Sequence, residues 1–163
     1  MARYYLYNAT GIYLTGTCPD GMEDQMIADG YTLGIGDPPP ELYPEVTLND
    51  LKSTKWLEIK QARNQAEFGG FTWDGSAFDS DPTSQSRIQG ASQLATLALM
   101  NAQPFSIDWT LADNSTRTLT AEDMLAVGTT MGIHSNTQHS LGRTKRQEIE
   151  LATTPEEVTS INW

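Results

Sequence analysis

The sequence predicts an α+β fold: an N-terminal small β-hairpin module, followed by helices packed on a small antiparallel sheet made from two hairpins. Three observations carry this. A helix-spaced run containing Trp56, Ile59, Ala62, Arg63 and Ala66 stops at Gly69-Gly70, and glycine commonly closes a helix because it tolerates the left-handed backbone needed there. Asp74-Gly75 then stands between Phe71-Thr72-Trp73 and Ser76-Ala77-Phe78, the strongest short-range hairpin signal. Further on, Phe105, Ile107, Trp109 and Leu111 alternate with polar residues, the period of a half-buried strand.

The elements follow in chain order. Tyr4-Tyr5-Leu6-Tyr7 and Ile12-Tyr13-Leu14 flank Asn8-Ala9-Thr10-Gly11 and predict a hairpin. An isolated two-stranded hairpin is marginal in water, so this module is expected to dock on another surface. Gly30, Gly34 and Gly36 leave room only for short strands, with one helical turn near Glu23 to Ala28. Asp37-Pro38-Pro39-Pro40 and Tyr43-Pro44 mark an extended linker, since consecutive prolines favour polyproline geometry. The predicted organisation is therefore a β-rich module over 1–36, a proline-rich linker over 37–46 and an α+β domain over 47–163.

Thr47 or Asn49 caps a first long helix reaching about Phe68, with Asp50 where the helix dipole favours an acid. Asp81 before Pro82 caps a second helix running to about Asn101. Its apolar stripe comprises Ile88, Ala91, Ala95, Ala98 and Ala102, widened by Leu94 and Leu97. After Pro104 the alternating strand turns through Ala112-Asp113-Asn114-Ser115 into Thr116–Thr118, a second hairpin. Thr120 with Asp123 forms a capping box for a long helix towards Ile149. Gly128, Gly132 and Gly142 weaken its interior, predicting a bend or the close approach of another backbone. Thr154-Pro155-Glu156-Glu157 opens a short last helix that ends near Trp163.

Composition limits the functions open to the chain. With 163 residues it can bury ~70% of its unfolded surface in one ordinary domain, or in a compact domain plus a small module. A single cysteine, Cys18, excludes an internal disulfide framework and fits a reducing cytoplasm. No apolar run is long enough to span a bilayer, and the first residues lack the layout of a secretory signal. The net charge of −11 argues against nucleic acid and anionic membranes as partners. Acidity is concentrated early: residues 1–46 hold one basic against seven acidic residues, and the rest holds nine against fourteen. Most of these charges form a solvated face.

Motifs for chemistry are sparse. His134 and His139 are five residues apart, unlike the four-residue spacing that lets two imidazoles share a metal on a helix. Asp79-Ser80-Asp81 lacks the glycine and distal glutamate of a calcium loop and reads as a turn and helix cap. Gly34-Ile35-Gly36 has no third glycine, and no phosphate loop or serine elbow occurs. The expectation is a non-enzymatic protein with no catalytic, cofactor or metal residues. Trp56, Phe68, Phe71, Trp73, Phe78, Phe105 and Trp109 are assigned to the core by their periodicities. Tyr4, Tyr5, Tyr7, Tyr13, Tyr43 and Trp163 remain as candidate partner contacts, Trp163 being expected mainly to close the core.

The runs WLEIKQARNQAEFGGFTWDGSAFDSDP, QSRIQGASQLA, PFSIDWTLADNSTRTLTAEDMLAVG and TTPEEVTSINW, in that order, resemble a domain of undetermined role found at the C-terminus of tailed-bacteriophage tail proteins. The resemblance covers about 51–163. Many proteins with this domain are tail fibre assembly proteins, or chaperones. It implies a protein that binds a phage tail fibre or tail protein in the host cytoplasm during folding and trimerisation, with self-association as a further possibility. The competing expectation is a structural tail or baseplate subunit retained in the virion.

Overall fold

The computed structural model describes residues 4–8, 11–16, 32–36 and 46–163, and the chain divides into two compact units, Met1–Thr47 and Leu48–Trp163. The first unit contains β1 (Tyr4–Asn8), β2 (Gly11–Gly16) and β3 (Thr32–Ile35) in one antiparallel sheet of order β2-β1-β3. The expected hairpin is thus joined by a third strand on the other edge of β1. Pairing of β1 with β2 slips between Leu6↔Leu14 and Tyr7↔Ile12, leaving Tyr13 as the extra residue of a bulge.

Tyr5 faces Gly34 across the β1–β3 ladder. A Cβ at position 34 would lie 1.9 Å from the Tyr5 ring, so the tyrosine covers a place only glycine can leave open. Tyr5 and Tyr7 point to the same side of β1 and stack with centroids 5.7 Å apart. The expected turn at Glu23 to Ala28, Tyr43 and all of the expected linker except exposed Val46 lie outside the described residues.

The second unit runs α1 (Leu48–Phe68), β4 (Phe71–Trp73), β5 (Ser76–Phe78), α2 (Pro82–Met100), β6 (Ser106–Thr110), β7 (Thr116–Thr120), α3 (Ala121–Leu151) and α4 (Pro155–Ser160). Its α+β class follows the sequence. Asp74 and Gly75 both take positive φ, 45° and 72°, the backbone a tight two-residue hairpin turn requires. Asp81 caps α2 by accepting from the Thr83 and Ser84 amides. Complete capping boxes at Thr120/Asp123 and Thr154/Glu157 open α3 and α4.

The two hairpins remain separate two-stranded sheets and do not form one ladder. They meet through the Ala112 amide, which donates to the Ala77 carbonyl at 3.1 Å, and through Arg117. That guanidinium donates to the Asp74 carbonyl and the Ser76 hydroxyl at 3.1 and 2.9 Å, pairs with the Asp74 carboxylate, and lies 4.8 Å above the Trp73 ring. One arginine on β7 thereby holds the turn of the other hairpin.

The main core joins Phe71 and Phe78 of the first hairpin, Leu119 of the second, Ile88, Ala91 and Ala95 of α2, and Met124, Val127 and Met131 of α3. Helix α2 departs from expectation on its other side. Leu94, Leu97 and Ala102 are exposed instead of joining the buried stripe, because α2 meets the core only through the face centred on Ile88, Ala91 and Ala95. Helix α3 runs unbroken through its glycines. Side chains, not another backbone, exploit two of them: a Cβ at Gly128 would stand 2.4 Å from the Ser92 hydroxyl, and one at Gly142 would stand 3.2 Å from Cδ of Arg63.

Hydrogen bonds to the capping carboxylates depress their pKa values. The Ser84 hydroxyl and amide hold Asp81 below its ordinary 3.8, the Thr120 amide and hydroxyl do the same for Asp123, and the Thr153 amide and hydroxyl lower Glu157 from its ordinary 4.5. A carboxyl with a lowered folded-state pKa contributes stability that is fully present above its unfolded value and is lost as pH falls through the folded value. The melting temperature is therefore expected to hold above about pH 5 and to fall in more acid solution. Asp81→Asn, which keeps a capping acceptor, should flatten part of that acid slope. Identical slopes for the two proteins in calorimetry below pH 4.5 would contradict the assignment.

Candidate functional site

The last turn of α1 carries an acid, Glu67, where the helix has its negative pole and a carboxylate is disfavoured. Glu67 is nevertheless buried. Its Oε1 accepts from the Ser135 hydroxyl at 2.6 Å, and Oε2 lies 3.1 Å from Nε2 of His139. Ser135 and His139 are four residues apart on α3, so one helix face presents both donors to one carboxylate. The pairing is asymmetric: the Glu67 side chain is 9% exposed and that of His139 43%.

The backbone of the same turn is held as closely. The Glu67 carbonyl accepts from the fully buried Ser80 hydroxyl at 2.6 Å, and Ser80 in turn accepts from the Gly70 amide at 2.9 Å. His134 Nε2 lies 3.1 and 3.2 Å from the Ala66 and Glu67 carbonyls. Two acceptors at that nitrogen require it to carry the proton. The five-residue spacing of the histidines thus sends one imidazole to the carbonyls of α1 and the other to its carboxylate. Among the described residues no group of three His, Cys, Asp or Glu side chains is placed to hold a metal ion.

A cavity of about 540 Å³ opens beside this cluster, lined by Arg63, Asn64, Glu67, Gln85, Gln89 and His139 among others. Arg63 is braced by its neighbour, with Nε and Nη2 donating to Asn64 Oδ1 at 3.2 and 2.7 Å. Both oxygens of Glu67 are engaged within the chain, so the carboxylate anchors the imidazole. The half-exposed His139, the Arg63 guanidinium and three carboxamides give this wall hydrogen-bonding groups of both senses.

The aromatic side chains divide. Phe71 and Phe78 are buried and stacked at 5.5 Å, with Trp73, Phe105 and Trp109 half-buried against the core. Phe68, expected inside, is exposed, because Glu67 takes the inward position at the end of α1. Trp56 lies apart from that core, half-buried with Arg146 at 5.0 Å and Lys60 at 5.8 Å from its ring. Of the candidate contacts, Tyr5 and Tyr7 are half-buried, and Tyr4 and Tyr13 take backbone places in β1 and β2. Trp163 is half-buried, with its ring 3.9 Å from where a Cβ on Gly142 would stand, beside Arg63. Among the described residues no helix is long and apolar enough to cross a membrane.

Sequence reasoning missed Glu67, Ser80 and Ser135 as a connected set. The one local signal was an acid in the last turn of a helix. Removing a partner from a buried hydrogen bond leaves the other unsatisfied at about 1–3 kcal/mol. Ser80→Ala, which orphans the Gly70 amide and removes a donor from the Glu67 carbonyl, is expected to cost that much in denaturant unfolding. His139→Ala, removing an imidazole that is already half in water, should cost less than about 1 kcal/mol. Equal losses, or none at Ser80, would show that this turn is not the fastening point.

No curated protein and no solved structure matches the chain. The model of one family, described as a domain of unknown function (DUF4376), matches residues 50–162. That span takes in almost all of the second unit, from the first turn of α1 to the residue before Trp163, and it makes this chain a member of the DUF4376 family.

Proposed function

We propose that the protein acts by binding other proteins, as an assembly chaperone for the fibre of a phage tail in the host cytoplasm. The observation that carries this reading is the ordered resemblance of four separated motifs across 51–163 to the C-terminal domain of tail fibre assembly proteins. The organisation of the chain adds to it. The domain is preceded by a separate unit whose small sheet has a stacked Tyr5–Tyr7 pair on one face. Tyrosine offers large contact area at low conformational cost and is favoured at protein interfaces. Within the cavity at α1, both oxygens of Glu67 are already bonded, which favours an anchoring over an acid–base role.

The test is co-expression with the neighbouring fibre protein. Full-length chain should raise the yield of soluble fibre trimer, and a chain lacking residues 1–40 should not. Equal trimer yields with and without the full-length chain would overturn the proposal. Mass spectrometry of purified virions separates the competing role, since a fixed copy number per tail would identify a retained structural subunit.

A further inference from the structure

The hairpin of β6 and β7 has one edge that its own unit leaves open. The Leu111 amide donates to the Ser115 carbonyl across the hairpin at 2.9 Å. In an antiparallel pair every second residue bonds its partner, so Trp109 and Ile107 bond β7 as well, opposite Arg117 and Leu119. Asp108, Thr110 and Ala112 turn their amides and carbonyls the other way. Ala112 spends its amide on the Ala77 carbonyl, where β5 covers the end of this edge. Among the described residues, Asp108 and Thr110 make no backbone bond on that side.

This edge borders a groove of about 480 Å³, whose other wall is Ser84, Arg87, Ala91 and Leu94 of α2. Inward Ile107 and Trp109 line it together with outward Asp108 and Thr110, so the edge backbone itself forms one side. The four helix residues are three and four apart and share one face. An unpaired strand edge beside such a wall is a template for an added strand, with main-chain bonds giving affinity and alternate side chains giving selectivity.

Charge selects the occupant. Arg87 is exposed and lowers the pKa of the capping Asp81 by its charge, yet it makes no ion pair or hydrogen bond among the described residues. Exposed Asp79 also lines the groove. A second copy docked edge to edge would bring uncharged Ile107, Trp109 and Leu111 to this wall, side chains already packed in their own core, and would leave Arg87 and Asp79 unanswered. Residues 101–105 turn the end of α2 into β6, and the Ala112–Ala77 bond ties the far end of β6 near the start of α2, so α2 and β6 run antiparallel. A strand added antiparallel to β6 therefore runs along α2 and passes Asp79, Arg87, Ala91 and Leu94 in turn. One helical turn rises about 5.4 Å, close to the ~6.7 Å between side chains on one face of a strand, so successive inward side chains meet successive turns of the wall.

We propose that this groove binds an extended segment of another protein as a third strand on β6, with side chains facing α2 in the order base, acid, apolar, apolar at every second position. The site lies within the second unit and stands whether or not the client is a fibre.

Amide exchange followed by NMR on the full chain tests it, with the synthetic peptide acetyl-Lys-Thr-Glu-Thr-Val-Thr-Val-Lys-amide at millimolar concentration as the probe. In the free protein the Asp108 and Thr110 amides should exchange fast and those of Ile107 and Trp109 slowly. The peptide should slow Asp108 and Thr110 about tenfold or more. The same peptide N-methylated at its threonines keeps every side chain but loses the amides that bond β6, and should give no protection. Arg87→Glu, an exposed change, should weaken the effect, and a peptide with lysine in place of its glutamate should restore it. Absence of protection, equal protection by the methylated peptide, or indifference of Arg87→Glu to the exchange of charge would overturn the proposal. Slow exchange of Asp108 and Thr110 in the free protein would do so too, since the edge would already be covered by this chain or a second copy.

Discussion

Everything in the second unit is arranged around the way α1 ends. Its last turn carries a carboxylate at the negative pole of the helix and then leaves the helix through Gly69-Gly70. Both features are unfavourable unless other groups compensate them. Compensation comes from three directions: Ser80 from the strand exit before α2, His134 from one side of α3, and Ser135 with His139 from the adjoining face of α3. Each of these bonds adds only about 1 kcal/mol net, yet removal of the fully buried Ser80 hydroxyl exposes its partners to the larger cost of burial without a bond. The turn therefore works as a knot, fixing α1, the first hairpin and α3 in one register. It also sets where the α2 cap begins, because Ser80 directly precedes the capping Asp81.

Charge is used unevenly around this knot. Seven of the ten basic residues lie on α1 or between Arg143 and Arg146 of α3. Their bonds are local or join these two helices: Lys55 with Glu58, Lys145 with Glu148, Arg146 with Glu150, and Lys52 with the Glu150 carbonyl. Pairs this exposed contribute little individually. More important is the placement of Trp56 beside Arg146 and Lys60, where cation–π attraction and the aliphatic stems cover the indole. The acidic excess stands elsewhere, on the N-terminal residues and around the hairpins. Arg117 is the cation on the hairpin side that joins two elements, and its stack on Trp73 explains how two short sheets hold together with a single backbone bond between them.

Local signals were legible in the sequence and long-range ones were not. The Asp74-Gly75 turn, the Asp81 cap and both capping boxes are settled by residues within four positions of each other, so a pattern read along the chain finds them. The Glu67 cluster joins residues 67, 80, 134, 135 and 139, and no periodicity relates them. Exchange of Phe68 for Glu67 at the inward position has the same origin, since hydrophobicity alone places the phenylalanine inside while the donors on α3 select the acid. Leu94 and Leu97 were misplaced for a related reason. Leucine at helical spacing indicates a face, but only the neighbours decide which of two faces is covered. In the first unit a short strand around Gly34 was expected, but its pairing with the second edge of β1 was not legible along the chain. The glycine becomes intelligible only with the Tyr5 ring above it.

Glycines inside the helices separate what the fold explains from what it does not. Each costs about 1 kcal/mol relative to alanine in a helix interior. Gly128 admits the Ser92 hydroxyl, which donates to the Met124 carbonyl at 3.1 Å and ties α2 to α3. Gly142 admits Arg63 and the edge of Trp163, so the cost at that position secures the close approach of α1 and the last residue of the chain. Gly90 and Gly132 have open space where a Cβ would stand, and each lies near large exposed apolar side chains, Leu94 in one case and Ile133 in the other. Neither of these two makes room for a side chain or backbone of its own unit, so the packing of the unit accounts for Gly128 and Gly142 and leaves Gly90 and Gly132 without a structural reason.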